Sequence, residues 1–125
     1  MRVLIIEDEP LNAMCFEDAL DAAGHAVTVI AGACKKDDGL VGFGNGGDLA
    51  LDLTAFDFAV VDGNLIGDMK GWEIVPILVA AGITCIGISG DCNDKIVAAG
   101  AKAAFAKPFS LRLLPEAIEN LSKAA

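Results

Sequence analysis

Short apolar runs alternate along this chain with segments of helical character. Residues 3–6 (VLII) and 58–61 (FAVV) are continuous apolar runs carrying β-branched side chains, the pattern of strands buried on both faces of a parallel sheet. Three further strand-like runs, 25–30 (HAVTVI), 83–88 (ITCIGI) and 101–106 (AKAAFA), each follow an Ala-Ala-Gly tripeptide ending at Gly24, Gly82 or Gly100. Ala is the best helix former and Gly accepts the left-handed conformation that ends a helix, so the repeated device reads as helix, Gly stop, strand. The predicted helices are residues 11–23 with Pro10 in the first turn, 48–53, 73–81, a short one capped by Asn93 or Asp94 and ending at Ala99, and 111–122 capped by Ser110. Pro115 makes the first turn of the last helix irregular. Strand followed by helix, repeated through the chain, predicts an α/β sandwich around a parallel sheet with right-handed crossovers.

One stretch breaks the alternation. Residues 31–47 (AGACKKDDGLVGFGNGG) are glycine-rich and read as a long loop. They contain Gly42-x-Gly44-x-x-Gly47, formally a dinucleotide fingerprint, but a charged segment separates it from the preceding strand and only a short helix is expected after it. A flexible loop is the plainer reading.

Composition narrows the function classes. The 125 residues fit one domain, 1–125, with no output domain expected, and 54% hydrophobic against 22% charged residues describe a core-forming chain. The net charge of −9 gives no basic footprint for nucleic acid and disfavours an anionic membrane surface. No apolar run is long enough to span a bilayer, and the N-terminus lacks the plan of a signal peptide. Cys15, Cys34, Cys85 and Cys92 form no C-x-x-C pair and have a single His for company. They read as reduced thiols of a cytoplasmic protein, not as a disulfide frame or zinc site.

Ligands of open parallel sheets bind beyond the carboxyl ends of the strands. After the first strand come Glu7, Asp8 and Glu9, the third ends at Asp62-Gly63-Asn64, the fourth at Ser89-Gly90, and the fifth at Lys107-Pro108. Singly, each has a plain role: acids in the first turn of a helix, an Asp-Gly turn, an ordinary Ser-Gly loop, a surface lysine. Jointly they deliver carboxylates, a hydroxyl and an ammonium to one edge. Clustered carboxylates must be neutralised by a cation, and a hard divalent ion such as magnesium suits an oxygen donor set. A carboxylate can also act as nucleophile in aspartyl-phosphate chemistry, with Lys and Ser stabilising the phosphoryl oxygens.

With these motifs in place, the sequence resembles the receiver domain of two-component response regulators. VLIIEDEP, FDFAVVDGNLIG, CIGISG and GAKAAFAKPFS resemble, in order, four motifs of that family. The resemblance implies a doubly wound, flavodoxin-like five-stranded parallel sheet of order 2-1-3-4-5. It implies phosphorylation of Asp62 by a sensor histidine kinase or histidine phosphotransfer protein, and a downstream protein target, with no nucleic acid and no membrane insertion. It implies magnesium bound by Asp8, Asp62 and the backbone carbonyl of Asn64, with Glu7 acting through water. Ser89 is the implied switch hydroxyl and Lys107 the implied phosphoryl partner, with a cis Lys107–Pro108 bond.

The chain also departs from the pattern. The loop between Asp62 and Gly71 is one residue longer than usual, and the Ser89-to-Lys107 interval is short by about one helical turn. Ala104 stands where the family carries its aromatic switch residue, and Phe105 is expected on the opposite strand face. With no ring at 104, the short segment 91–99 becomes the expected moving part, marginal as an isolated helix and ordered on phosphorylation. Two rival functions remain: a pseudo-receiver that binds without phosphorylation, and a magnesium-dependent phosphohydrolase with an aspartyl intermediate. The second would carry an acid two residues after the nucleophile, where this chain has Asn64. A flavin-binding module of similar topology is weaker still, since no aromatic pair is evident.

Overall fold

The computed structural model describes residues 1–36, 39–44, 47–65, 69–91, 93–107 and 110–123. In chain order the elements are β1 (Arg2–Ile6), α1 (Pro10–Ala22), β2 (Ala26–Ile30), β3 (Gly32–Lys36), β4 (Gly39–Gly44), β5 (Gly47–Ala50), a 3-10 turn (Leu53–Ala55), β6 (Phe58–Asp62), α2 (Gly71–Ala80), β7 (Thr84–Ser89), α3 (Asn93–Ala99), β8 (Ala103–Ala106) and α4 (Leu113–Lys123). A five-stranded sheet has the order β2-β1-β6-β7-β8. Every pair in it is parallel. This is the doubly wound 2-1-3-4-5 order expected from the sequence.

Each strand feeds both layers because its side chains alternate. Val3, Ile5, Phe58, Val60, Ile86 and Ile88 face α1 and α4, where they meet Phe16, Leu20, Leu114 and Ile118. Leu4, Ile6, Ala59, Val61 and Cys85 face the other way, onto Ile74, Val75 and Leu78 of α2 and Ile96 of α3. The three Gly stops operate as read. Gly24, Gly82 and Gly100 have φ of 90°, 87° and 125°. Behind each, the next backbone N–H reaches back into the last helical turn: His25 to Leu20, Ile83 to Leu78 and Ala101 to Ile96.

The stretch expected to be a loop is mostly sheet. β3, β4 and β5 form a three-stranded antiparallel meander, and in place of the helix expected at 48–53 there is the end of β5 and then the 3-10 turn that begins at Leu53. The chain therefore has four α-helices among its described residues instead of the expected five. Its glycines mark close packing and not slack. A Cβ on Gly32 would run into the Phe43 ring, and one on Gly42 would come within 2.9 Å of Ile30. Gly42 and Gly44 lie in β4 and Gly47 begins β5, so the apparent dinucleotide fingerprint is a β-hairpin with no phosphate-cradling helix behind it. The meander is tied to the main sheet by Ala31 N donating to Phe43 O at 2.7 Å. It contributes Ala33 and Leu40 to the core on the α2/α3 face.

Smaller shifts concern helix ends. α2 begins at Gly71, ahead of the expected Glu73, because Glu73 Oε1 accepts from Lys70 N at 2.8 Å and closes the first turn. α4 begins at Leu113, where Leu113 N donates to the Ser110 carbonyl, and Pro115 sits in its first turn. The segment expected to be marginal, α3, is a formed helix of seven residues. Ile96 is fully buried and seats over Gly87, where any Cβ would collide with it. Packing thus supplies what length cannot. Phe105 packs with the α1/α4 cluster, on the opposite face from α3, as its strand position requires.

Leu40 tests whether the meander belongs to the core. Leu40→Ala is expected to lower unfolding free energy by about 2–5 kcal/mol in a denaturant titration. A loss below about 0.5 kcal/mol, the size of a surface substitution, would mean the meander is only draped on the domain.

Candidate functional site

The carboxyl ends of β1, β6, β7 and β8 arrive at one edge, and the sheet ladder positions the first residue beyond each strand. Glu7 N donates to Ile30 O at 3.1 Å, Gly63 N to Ile88 O at 3.0 Å, and Lys107 N to Ser89 O at 2.9 Å. The backbone is therefore still in register where the polar side chains begin.

Three carboxylates meet there. Glu7, Asp8 and Asp62 each offer an oxygen, and these lie within 4.8 Å of one another. Glu7 and Asp62 are buried, at 2% and 4% exposure, and so is Ser89. Lys107 Nζ bridges the buried pair, 2.7 Å from Glu7 Oε1 and 3.0 Å from Asp62 Oδ2. The other oxygens are also engaged. Asp62 Oδ1 accepts from Asn64 N at 3.1 Å, and Glu7 Oε2 accepts from Glu9 N at 3.3 Å. Glu9 in turn caps α1 by accepting from Leu11 N at 3.1 Å.

Burial, reinforced by the contact with Asp62, pushes the Glu7 carboxyl up to about 7, against the opposing pull of Lys107. For Lys107, burial works to lower the pKa, but the hydrogen bonds to Glu7 and Asp62 outweigh it and the net direction is upward. The lysine stays charged, and Glu7 holds a proton more readily than an acid in water would.

Gly71 sets how closely α2 approaches the site. Its N donates to Gly63 O at 3.2 Å, and there is no room for a Cβ against the Asp62 backbone carbonyl. Opposite, the loop after β7 leans in. Asp91 N donates to Ser89 Oγ at 3.3 Å, and Asn64 Nδ2 donates to Asp91 Oδ1 at 2.8 Å. Lys95 of α3 lies over Trp72 of α2, 4.5 Å from the ring centroid.

The structure thus gathers Glu7, Asp8, Asp62 and Lys107 into one cluster, with Ser89 buried at the end of the neighbouring strand and Asn64 at the rim. The expected cis Lys107–Pro108 bond falls outside the described residues, as does Cys92. Among the described cysteines, Cys15, Cys34 and Cys85 are free thiols, and burial holds Cys85 unreactive with a pKa raised to about 12. Sequence reading missed the Asn64–Asp91 and Trp72–Lys95 contacts. Both join residues far apart in the chain and carry no periodic signal. No helix among the described residues is long and apolar enough to cross a membrane.

No protein-family model matches this chain, and no curated protein sequence matches it. Solved structures do resemble it. A CheY-like response regulator receiver domain from Methanospirillum hungatei JF-1 superposes with TM-score 0.71 at 21% identity, over 98% of this chain and 94% of that one. The receiver domain of a sensor histidine kinase from Pseudomonas aeruginosa PAO1, solved with magnesium coordinated in its active-site cleft, gives 0.68 at 19% identity, over 95% and 94%. The chemotaxis protein CheY4 of Vibrio cholerae gives 0.67 at 18% identity, over 95% and 96%. The fold is that of the response regulator receiver domain.

Glu7 gives the site a signature in stability. Between its ordinary pKa of 4.5 and about 7, the folded chain keeps a proton that the unfolded chain has released. Its contribution to stability is therefore largest below that window and declines as pH rises through it. In chelator-containing buffer, Glu7→Gln is expected to flatten this decline relative to the parent. Parallel pH–stability curves for the two proteins between pH 4.5 and 7 would mean that Glu7 does not hold a proton in the folded chain.

Proposed function

We propose that this chain is a phosphoacceptor signalling switch of a two-component system. It takes a phosphoryl group from the phosphohistidine of a sensor histidine kinase or histidine phosphotransfer protein onto Asp62, in a magnesium-dependent reaction. Its output is altered binding to a downstream protein, so its role is regulatory, and a cytoplasmic setting suits its free thiols. One observation carries this reading: the Asp62 carboxylate stands at a strand end with Lys107 3.0 Å from one oxygen and two further carboxylates beside it.

In the transfer, an Asp62 carboxylate oxygen attacks phosphorus, a P–O bond forms, and the P–N bond to the donor imidazole breaks. The departing imidazole nitrogen keeps the bonding electron pair and takes up a proton. Lys107 is placed to pair with the new phosphoryl oxygens, and Ser89 supplies a hydroxyl for them at the neighbouring strand end. Asn64 N, already on Asp62 Oδ1, orients the carboxylate.

The donor set fits magnesium: oxygens only, from three acids within one ion's reach. Asp8, Asp62 and the Asn64 carbonyl would hold it directly and Glu7 through water. When bound, it neutralises charge on the phosphoryl oxygens. The magnesium in the Pseudomonas receiver supports the same reading. Position 64 being Asn weighs against the phosphohydrolase alternative, which would place its second acid there. The complete set of Asp8, Asp62, Ser89 and Lys107 weighs against a pseudo-receiver.

A small phosphodonor with magnesium is expected to add one phosphoryl group per chain by intact mass, and Asp62→Asn is expected to add none. Asp8→Ala should weaken magnesium binding about tenfold or more, followed by Trp72 fluorescence. Labelling of Asp62→Asn at the parent's stoichiometry would move the acceptor elsewhere. Unchanged magnesium affinity in Asp8→Ala would remove Asp8 from the metal site.

A further inference from the structure

We infer that Asp91 latches the N-terminal end of α3 to the Asp62 site and that phosphorylation of Asp62 opens the latch; this rests on the phosphoacceptor reading above. The contacts form a continuous polar circuit. Asn64 N reaches Asp62 Oδ1 at 3.1 Å, Asn64 Nδ2 reaches Asp91 Oδ1 at 2.8 Å, and Asp91 N reaches Ser89 Oγ at 3.3 Å. Asp91 stands two residues before α3 begins at Asn93. It is therefore tied on one side to the loop after the acceptor and on the other to the strand-end hydroxyl.

A phosphoryl group on Asp62 changes both ties. It replaces the single negative charge of the Asp62 carboxylate with an acyl phosphate of about −1.5 to −2, and sets three strong acceptor oxygens beside Asn64. The Asn64 amide gains a better acceptor than Asp91, and the Asp91 carboxylate faces added negative charge. Ser89, donating to a phosphoryl oxygen, turns away from Asp91 N. Each change loosens the lead-in to α3.

The rest of the helix has a pivot. Ile96 is fully buried over Gly87, and Lys95 rests on Trp72 at 4.5 Å. Trp72 follows Gly71, which abuts the backbone of Asp62 and holds α2 in place. The anchored middle and releasable front make α3 a lever. This replaces the aromatic side chain that Ala104 cannot supply, and it replaces the expected ordering of residues 91–99 with a release. Asp91 is a positioning residue here, acting through Asn64 and Ser89.

The test uses the full chain with magnesium and beryllofluoride as the phosphoryl analogue. Fluorine NMR reports whether the analogue is seated, and hydrogen exchange reports the α3 amides. In the parent, seating the analogue is expected to speed α3 exchange about fivefold or more. Asp91→Ala should exchange fast without the analogue and respond little to it. Asn64→Ala should do the same, and the double variant should be no faster than either single one. Asp91→Asn keeps an acceptor oxygen without the charge, so it should stay slow before loading and respond less than the parent. Parent-like exchange in Asp91→Ala, or an equal response to the analogue in parent and Asp91→Ala, overturns the latch. A seated analogue with no change in α3 overturns the latch alone. No seated analogue in the parent overturns the reading of the site, and the latch with it.

Discussion

Lys107 bridging Glu7 and Asp62 is the contact around which this end of the molecule is organised. Two nearly dry carboxylates side by side would be untenable as a pair of bare anions. One ammonium, brought from the far edge of the sheet, offsets their repulsion. It can reach them only because the parallel ladder keeps β1, β6, β7 and β8 in register to their last residues. Any slip of one strand would point its polar residue to the wrong face. The electrostatics and the topology are thus one constraint stated twice.

Much of this is legible in the sequence because it depends on local signals. Apolar runs such as 3–6 and 58–61 locate buried strands, Ala-Ala-Gly locates helix ends, and the residue after each strand locates the site. The acids, Ser89 and Lys107 therefore fall together at one edge on sequence grounds alone. Contacts between loops, such as Asn64 with Asp91, have no such signature. They depend on how two irregular segments happen to approach, and only the folded backbone decides that.

The meander shows how a correct rule can give a wrong element. Glycine density in residues 31–47 points to a loop, since Gly loosens the unfolded chain more than any other residue. Yet Gly32 and Gly42 sit under Phe43 and against Ile30, where nothing larger fits. Leu40, Val41 and Phe43 between them carry a strand's alternation, obscured by the small residues on the inward face. The meander takes the place of the expected loop and of the first residues of the helix expected at 48–53, and it delivers Leu40 to the core on the α2/α3 face.

Gly87 and Ile96 form a hole and its knob. One is a strand residue stripped of its side chain, the other a helix residue that fills the space left behind. Their sizes are fixed jointly, so neither position is free to drift without the other. In related sequences, a bulkier residue at the strand position should travel with a slimmer one on the helix. An engineer wishing to lengthen or restiffen that helix would have to redesign both sides of the joint together.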